Sequence, residues 1–221
     1  IGGSMVEITT LSELTIDGKL SLGRYASSKD LFLYSSDELK AWFHTQRAAS
    51  DAIMVGANTV RTDDPELTVR HVKGPNPLRV IPSSDGRLPP DCHLLNDGVP
   101  TVIAVSARAT ADTIADLESR GHIEVVVCGE DRVDLSALMA LLEARGVRRL
   151  IAEGGSELLS SLFEANLVSR IIIKHIPVIA GSPDAPTYLN GTTMGLSRWR
   201  LDDWFIKGGI GVSVYRPAAE S

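Results

Sequence analysis

One stretch of the chain changes abruptly from apolar to polar residues, as ligand sites in α/β proteins often do. It begins with an apolar run, DAIMVGA, which starts at Asp51 and predicts a buried strand. In α/β proteins, ligands bind in the crevice beyond the carboxyl ends of the strands. The alternative is a turn whose side chains only satisfy local backbone donors. The polar segment that follows, before Arg70, contains Asn58, Thr59, Arg61, Thr62, Asp63, Asp64 and Pro65.

A second candidate site follows a later apolar run, RRLIA. Gly154 and Gly155 would let the backbone approach a ligand closely, and the N-terminus of the next helix would attract a phosphate. Ser156 could cap that helix or donate to a phosphate oxygen. The carboxylate of Glu153 should face the crevice, where its burial requires a partner such as a cationic or hydroxyl-rich ligand. The alternative is an ordinary tight turn, because two glycines are a weaker signal than the three-glycine dinucleotide fingerprint, which the chain lacks.

Four basic residues are candidates for binding an anionic group: Lys19, Arg47, Arg61 and Arg70. Arginine suits this role because its guanidinium binds phosphate through two hydrogen bonds. A lone arginine is more often a solvent-exposed surface residue. The histidines show no spacing typical of a metal site or a catalytic triad, so we expect no metal. The sequence contains neither GxSxG nor HExxH, and it therefore gives no support to a hydrolase.

The elements that position these segments are strands that alternate with helices of about ten residues. This alternation predicts a mainly parallel sheet flanked by helices. The tail from Arg198 to Arg216 alternates polar and apolar residues and predicts an antiparallel C-terminal edge. We expect one domain over residues 5–221, with residues 1–4 as an expression-tag remnant. Strands are predicted at 6–14, 31–34, 51–57, 78–82, 101–106, 123–129, 148–152 and 171–181, and helices at 36–50, 112–120, 134–146 and 156–167, with Ser36 and Asp134 as N-caps.

The charge, hydropathy and cysteine content of the chain argue against several classes of protein. The net charge of -6 argues against a non-specific nucleic-acid binder, which is usually basic. No apolar run approaches the roughly 20 residues that a membrane helix needs. The two cysteines, Cys92 and Cys128, lack CxxC spacing and predict neither a zinc site nor a disulfide framework. We therefore expect a cytoplasmic protein that binds small molecules rather than nucleic acid or membranes.

Four segments in this order resemble the pyrimidine reductases of riboflavin biosynthesis: TIDGKLSLG, DAIMVGANTVRTDDPELTVR, NPLRVIPSS and LIAEGGSELLSSLFEANLVSRIIIKHIPVIAG. The resemblance spans nearly the whole chain and implies a dihydrofolate-reductase-like fold and a homodimer. It also implies an NADPH-dependent reduction of a ribosylamino-pyrimidinone 5′-phosphate. Hydride would pass to the sugar C1 of this phosphorylated substrate, through the ring-opened imine.

The resemblance also assigns roles to individual residues. For proton transfer, which the resemblance leaves unassigned, Glu153 and Asp17 are our candidates. The residues implied to bind the substrate are Arg47, Leu67, Arg70, Glu153 and Ser28, with Ser27 as the alternative to Ser28. The residues implied to bind NADPH are Thr59, Asp63, Ser83, Gly154, Gly155, Ser156, Glu157 and Leu158.

The chain departs from the family pattern in the substrate half. Leu11 stands where the family has Lys or Asn, with Glu13 nearby, and Pro82 stands where it has Asp. The segment 24–33 is longer than in the bacterial reductases. The zinc signature of the fused deaminase is absent from the sequence. Two alternatives therefore stay open: a related reductase for another pteridine- or pyrimidine-like substrate, and a nucleotide-binding module without catalysis.

Overall fold

A computed structural model of the protein describes residues 6–190 and 195–218, so residues 1–4 lie outside the described part. Its strands are β1 Glu7–Thr15, β2 Ala52–Met54, β3 Leu78–Pro82, β4 Thr101–Val105, β5 Ile123–Val127, β6 Arg149–Ala152, β7 Val168–Ile176, β8 Trp199–Lys207 and β9 Ile210–Pro217. They form one sheet in the order β5-β4-β3-β2-β6-β1-β7-β9-β8. All pairs are parallel up to β7, and β9 pairs antiparallel with both β7 and β8. The predicted sheet and its antiparallel edge are confirmed.

Helices cover both faces of this sheet, and the predicted caps begin two of them. Ser36 Oγ accepts a hydrogen bond from the backbone N–H of Leu39. Asp134 caps the first turn of another helix in the same way. None of the described helices is long and apolar enough to cross a membrane. The helices are α1 Asp37–Ala48, α2 Ala57–Asp63, α3 His93–Asn96, α4 Ala111–Glu118, α5 Leu135–Ala144 and α6 Ser156–Glu164, and a 3₁₀ helix spans Ser28–Tyr34.

The core has two layers because the side chains of each central strand point alternately to the two faces of the sheet. Within β2, Ile53 packs into one apolar cluster, whereas Ala52 and Met54 pack into the other. All three are fully buried. The apolar runs of the central strands are therefore explained by coverage on both faces, as is typical of parallel sheets.

Two local predictions were wrong, and one of two open roles for a serine is ruled out. Residues 31–34 belong to the 3₁₀ helix rather than to a strand, with Leu31 as its buried residue. The polar residues after β2 form α2, which buries only Val60, so polarity on its exposed faces concealed the helical period. The helix α6 begins at Ser156 as predicted, and its N-cap is Gly155, so of the two roles left open for Ser156 the structure rules out capping.

Candidate active site

A large cleft lies where β1, β2, β3 and β6 end. Its volume is about 1650 Å³, well above the ~300–1,000 Å³ of a typical pocket for one small ligand. It therefore has room for a dinucleotide and a second molecule. Sequence-predicted residues that line it are Ser28, Arg47, Thr59, Asp63, Leu67, Arg70, Ser83, Glu153, Gly154, Gly155, Ser156, Glu157 and Leu158.

The glycine turn after β6 is held against the start of α2. The N–H of Gly155 donates to Thr59 Oγ1 at 3.2 Å, and Asn58 Nδ2 donates to Glu157 Oε2 at 2.7 Å. A Cβ on Gly154 would lie 2.6 Å from Leu158 Cδ2, so this position has no room for a side chain. Within the described part of the chain, no side chain caps the N-terminus of α6. Its free N–H groups are available to an anionic ligand.

Ser83 follows β3 and also lines the cleft. The residue is almost completely buried, and its Oγ has no hydrogen-bond partner among the described residues. A buried hydroxyl without a partner is costly. A polar ligand atom in the cleft would remove this cost, which fits the predicted contact with a cofactor.

Asp63 connects α2 to the 3₁₀ helix. One carboxylate oxygen accepts from Ser27 Oγ at 2.8 Å, and the other accepts from Ser28 Oγ at 2.6 Å. The backbone N–H of Ser28 lies 3.3 Å from Asp63 Oδ1. The carboxylate thus holds segment 24–34 against the cleft, while the predicted contacts of Asp63 and Ser28 with ligands stay predictions.

Arg47 and Glu153 form an ion pair in the cleft wall. Arg47 donates from Nε to Oε1 at 2.8 Å and from Nη2 to Oε2 at 2.6 Å, and the side chains are 7% and 9% exposed. Arg47 Nη1 also donates to the carbonyl of Thr68 at 2.9 Å. The partner of Glu153 is therefore supplied by the protein. The expectation that a ligand would neutralise this carboxylate was wrong.

The loop between α2 and β3 brings Leu67 and Arg70 to the cleft. Leu67 is buried at φ 54°, a left-handed conformation that is unusual for a leucine. The Arg70 guanidinium is half exposed and pairs with Glu66, while its backbone N–H donates to His44 Nδ1 at 3.0 Å. Burial, followed by the positive charge of Arg47, lowers the pKa of His44 to about 3, so this imidazole is neutral at neutral pH.

A family model described as the RibD C-terminal domain matches residues 7–206. The chain belongs to this family. It is 39% identical over 206 residues to the 2,5-diamino-6-ribosylamino-4(3H)-pyrimidinone 5′-phosphate reductase of Aquifex aeolicus, which covers 91% of this chain and 92% of that protein. The protein of the same name from Archaeoglobus fulgidus is 40% identical over 198 residues, or 85% of this chain and 87% of that one.

The fold of this RibD C-terminal domain is similar to the crystal structure of a pyrimidine reductase-like protein from Corynebacterium diphtheriae. The TM-score is 0.81 at 18% sequence identity, covering 98% of this chain and 94% of that one. At such low identity the similarity supports the fold alone. The family and the fold that the sequence motifs implied are thus confirmed.

A second ion pair in this RibD C-terminal domain was missed by sequence reasoning. Lys174 Nζ donates to Glu13 Oε1 at 2.6 Å, and both residues line the cleft. A signal was present, because a lysine within the apolar run IIIKHIPVIA needs a buried partner. What the sequence lacked was the register of β1 and β7, which sets Glu13 directly opposite Lys174.

Asp17 is the predicted site residue that lies apart from the others. Among the described residues, those lining the cleft do not include it. Its carboxylate accepts hydrogen bonds from Thr15 Oγ1 and from the backbone N–H groups of Ala180 and Gly181. These bonds, with that from Thr15 the strongest, lower the pKa of Asp17 to about 2. The residue holds a turn, and this position does not support the expected role in proton transfer.

Proposed function

We propose that the protein reduces 2,5-diamino-6-ribosylamino-4(3H)-pyrimidinone 5′-phosphate with NADPH in riboflavin biosynthesis. Relatives with that reductase name are similar over most of the chain. The observation that carries the proposal is that the uncapped glycine turn of α6 and a group of cationic side chains lie together in one cleft. One half fits a dinucleotide, and the other fits a phosphorylated sugar.

The cofactor half fits NADPH because it offers donors to phosphate and ribose oxygens. The N–H groups of Ser156, Glu157 and Leu158 would hold phosphates at the start of α6, and Gly155, which is anchored to Thr59, would let the phosphates approach closely. Other residues proposed to contact the cofactor are Thr59, Asp63, Ser83 and Gly154. NADPH supplies the hydride, and the protein orients the two ligands and excludes water.

The substrate half would be formed by Leu67, Arg70, Glu153, Arg47 and Ser28. Arg70 is the arginine best placed for the substrate phosphate, because its present partner Glu66 is half exposed and such surface pairs are weak. Arg47 already has Glu153 and the Thr68 carbonyl as partners. We therefore assign Arg47 to shaping the loop that carries Arg70, in addition to any contact with the substrate.

The rest of the proposal concerns the domain organisation, oligomeric state, location and binding partners of the protein. We propose a single reductase domain over residues 5–221 that works as a cytoplasmic homodimer, without nucleic acid, membrane or a metal. Within the described residues, no group of three or more His, Cys, Asp or Glu side chains could hold a metal ion. The edge strand β8 exposes Leu201, Trp204 and Ile206, an apolar surface that a second copy could cover.

Binding and turnover test the proposal together. NADPH titrated calorimetrically should bind, with NADH as the comparison, and the named substrate should cause oxidation of the bound NADPH. NADPH binding without turnover would favour a related reductase or a nucleotide-binding module, the two alternatives that Leu11 and Pro82 leave open.

The glycine turn gives a sharper test of the cofactor half. Thr59→Val removes the acceptor of the Gly155 N–H at nearly constant volume, whereas Thr59→Ser keeps it. The bond to Thr59 Oγ1 holds the half-buried glycine turn in its present position, so only the valine variant, which releases the turn, should lose NADPH affinity. Equal affinities in the two variants would refute the assignment of Thr59.

A further inference from the structure

Glu13 and Lys174 carry charges into the cleft wall that neither the resemblance nor the named relatives explain. Their side chains are 8% and 2% exposed, and their charged atoms lie 2.6 Å apart. Ser35 Oγ donates to the same carboxylate oxygen at 3.4 Å. On the other side, the Lys174 ammonium lies 4.2 Å from the ring centroid of Phe43 and 5.3 Å from that of Phe32.

Stability does not account for this pair. Ile172 and Ile176, which share the face of Lys174 on β7, belong to the apolar core. Replacing a buried ion pair in such surroundings by well-packed apolar residues is often neutral or stabilising, because two charges must be taken out of water to form it. The ion pair instead fixes the position of the Lys174 ammonium in the wall of the cleft, as a group that takes part in catalysis must be fixed.

The proposed reaction needs such a group, because reduction of the substrate consumes a proton as well as a hydride. In the ring-opened imine, the sugar C1 gains the hydride and the π electrons of the C=N bond move to nitrogen. That nitrogen must then take up a proton to become the amine of the ribityl product. The electron pair and the proton balance when an acid, supplied by the cleft or by water, protonates this nitrogen, and an acid held in the cleft does so faster.

Four other residues in the cleft are poor candidates for this acid. Both carboxylate oxygens of Glu153 already accept hydrogen bonds from the Arg47 guanidinium, so neither is placed to donate to a substrate nitrogen. His44 is neutral at neutral pH, and its Nδ1 already accepts from the Arg70 backbone. Lys29 and Lys40 line the cleft too, but Lys29 is exposed and Lys40 is half-buried, so neither is held in the fixed position of a buried group.

We infer that Lys174, oriented by Glu13 and the two phenylalanine rings, donates this proton to the substrate nitrogen. The ammonium becomes an amine in this step and regains a proton from solvent after the product leaves. Glu13 is a positioning residue, because it acts through Lys174. This inference rests on the proposed function and adds the acid that the reaction requires.

The first test is a pair of variants measured at saturating NADPH and substrate. Lys174→Met and the double variant Glu13→Met/Lys174→Met should lower kcat by about 10²–10⁴-fold, the usual contribution of a general acid. Calorimetric NADPH affinity and the urea midpoint of the double variant should stay close to wild type. Lys207→Met is the control, because Lys207 forms a surface ion pair with Glu38 away from the cleft.

Chemical rescue separates proton donation from a structural role. In Lys174→Ala, added methylamine should restore turnover in proportion to its concentration, whereas the tetramethylammonium ion, which carries charge but no proton, should not. Lys174→Arg keeps the charge but holds its proton too tightly to donate it, so its kcat should also fall.

Several results would overturn the inference. A decrease of kcat by less than about tenfold in Lys174→Met, or rescue by tetramethylammonium, would exclude proton donation. A double variant that does not fold would show that the pair is structural. Wild-type protein that leaves the named substrate unreduced would instead refute the proposed function, and with it the need for this acid.

Discussion

Replacing Glu153 by Gln should destabilise the protein strongly, because it leaves the Arg47 guanidinium buried without a countercharge. The carboxylate accepts two short hydrogen bonds from Arg47, and both side chains are more than nine-tenths buried. The amide of Gln could accept only one of these bonds, and its NH₂ group would face a second donor. Breaking a buried pair in this way costs about 3–5 kcal/mol.

For a chain of this length, 1 kcal/mol shifts Tm by roughly 2–4 °C, so Tm should fall by about 6–20 °C. Urea unfolding and calorimetry of the ligand-free protein measure both quantities. Glu66→Gln is the matched control: its pair with Arg70 lines the same cleft but is half exposed, and should be worth at most about 1 kcal/mol. Similar losses in the two variants would refute the reasoning that burial makes the Arg47 pair essential.

Three further predictions concern the glycine turn, the buried histidine and the residue outside the cleft. Gly154→Ala should cost about 1–3 kcal/mol and weaken NADPH binding in calorimetry, because its Cβ would lie 2.6 Å from Leu158 Cδ2; unchanged affinity would contradict this. The pKa of His44 is lowered from 6.5 to about 3 in the folded protein. Between these two pH values the imidazole is protonated in the unfolded chain but not in the folded protein. The free energy of unfolding should therefore fall as the pH is lowered from 6.5 to 3, by up to about 1.4 kcal/mol per pH unit. His44→Asn should make this slope shallower in urea titrations, most clearly between pH 6.5 and 5, where carboxylates contribute least. An unchanged slope in that range would be evidence against a buried neutral His44. The pKa of Asp17 is lowered from 3.8 to about 2, so Asp17 should stabilise the protein above pH 3.8 and lose this effect as the pH falls to 2. The Asp17→Asn variant should have the kcat of the wild-type protein. A large loss of kcat in this variant would make Asp17 a candidate for proton transfer again.

The parts of the fold that could be predicted are those set by local chemistry. The cap at Ser36, the cap at Asp134 and the apolar runs of the central strands depend on neighbours in sequence, and their elements were found within a few residues. The helix α2 was missed because its single buried residue, Val60, leaves no apolar stripe. The 3₁₀ helix was missed because its place depends on Asp63, some thirty-five residues away.

In the candidate site, too, the features that depend on neighbours in sequence could be predicted and those that depend on the fold could not. The glycine turn carries its signal in Gly154 and Gly155 themselves, so its position in the cleft could be foreseen. Ion pairs could not, because they depend on which strands become neighbours: Glu13 meets Lys174 only through the β1–β7 register. The position of Asp17 outside the cleft could have been foreseen from its neighbours in sequence, because an Asp in an Asp-Gly turn usually forms hydrogen bonds within the turn itself.

Transfer of a labelled hydride tests the central claim most directly. The protein would be incubated with the ribosylamino-pyrimidinone 5′-phosphate and NADPH that carries deuterium at the transferable position of the nicotinamide. We predict a ribitylamino product with a single deuterium at the sugar C1, detected by mass spectrometry and NMR. A product without deuterium, or no reduced product while NADPH is bound, would contradict the assignment of this cleft as a reductase site.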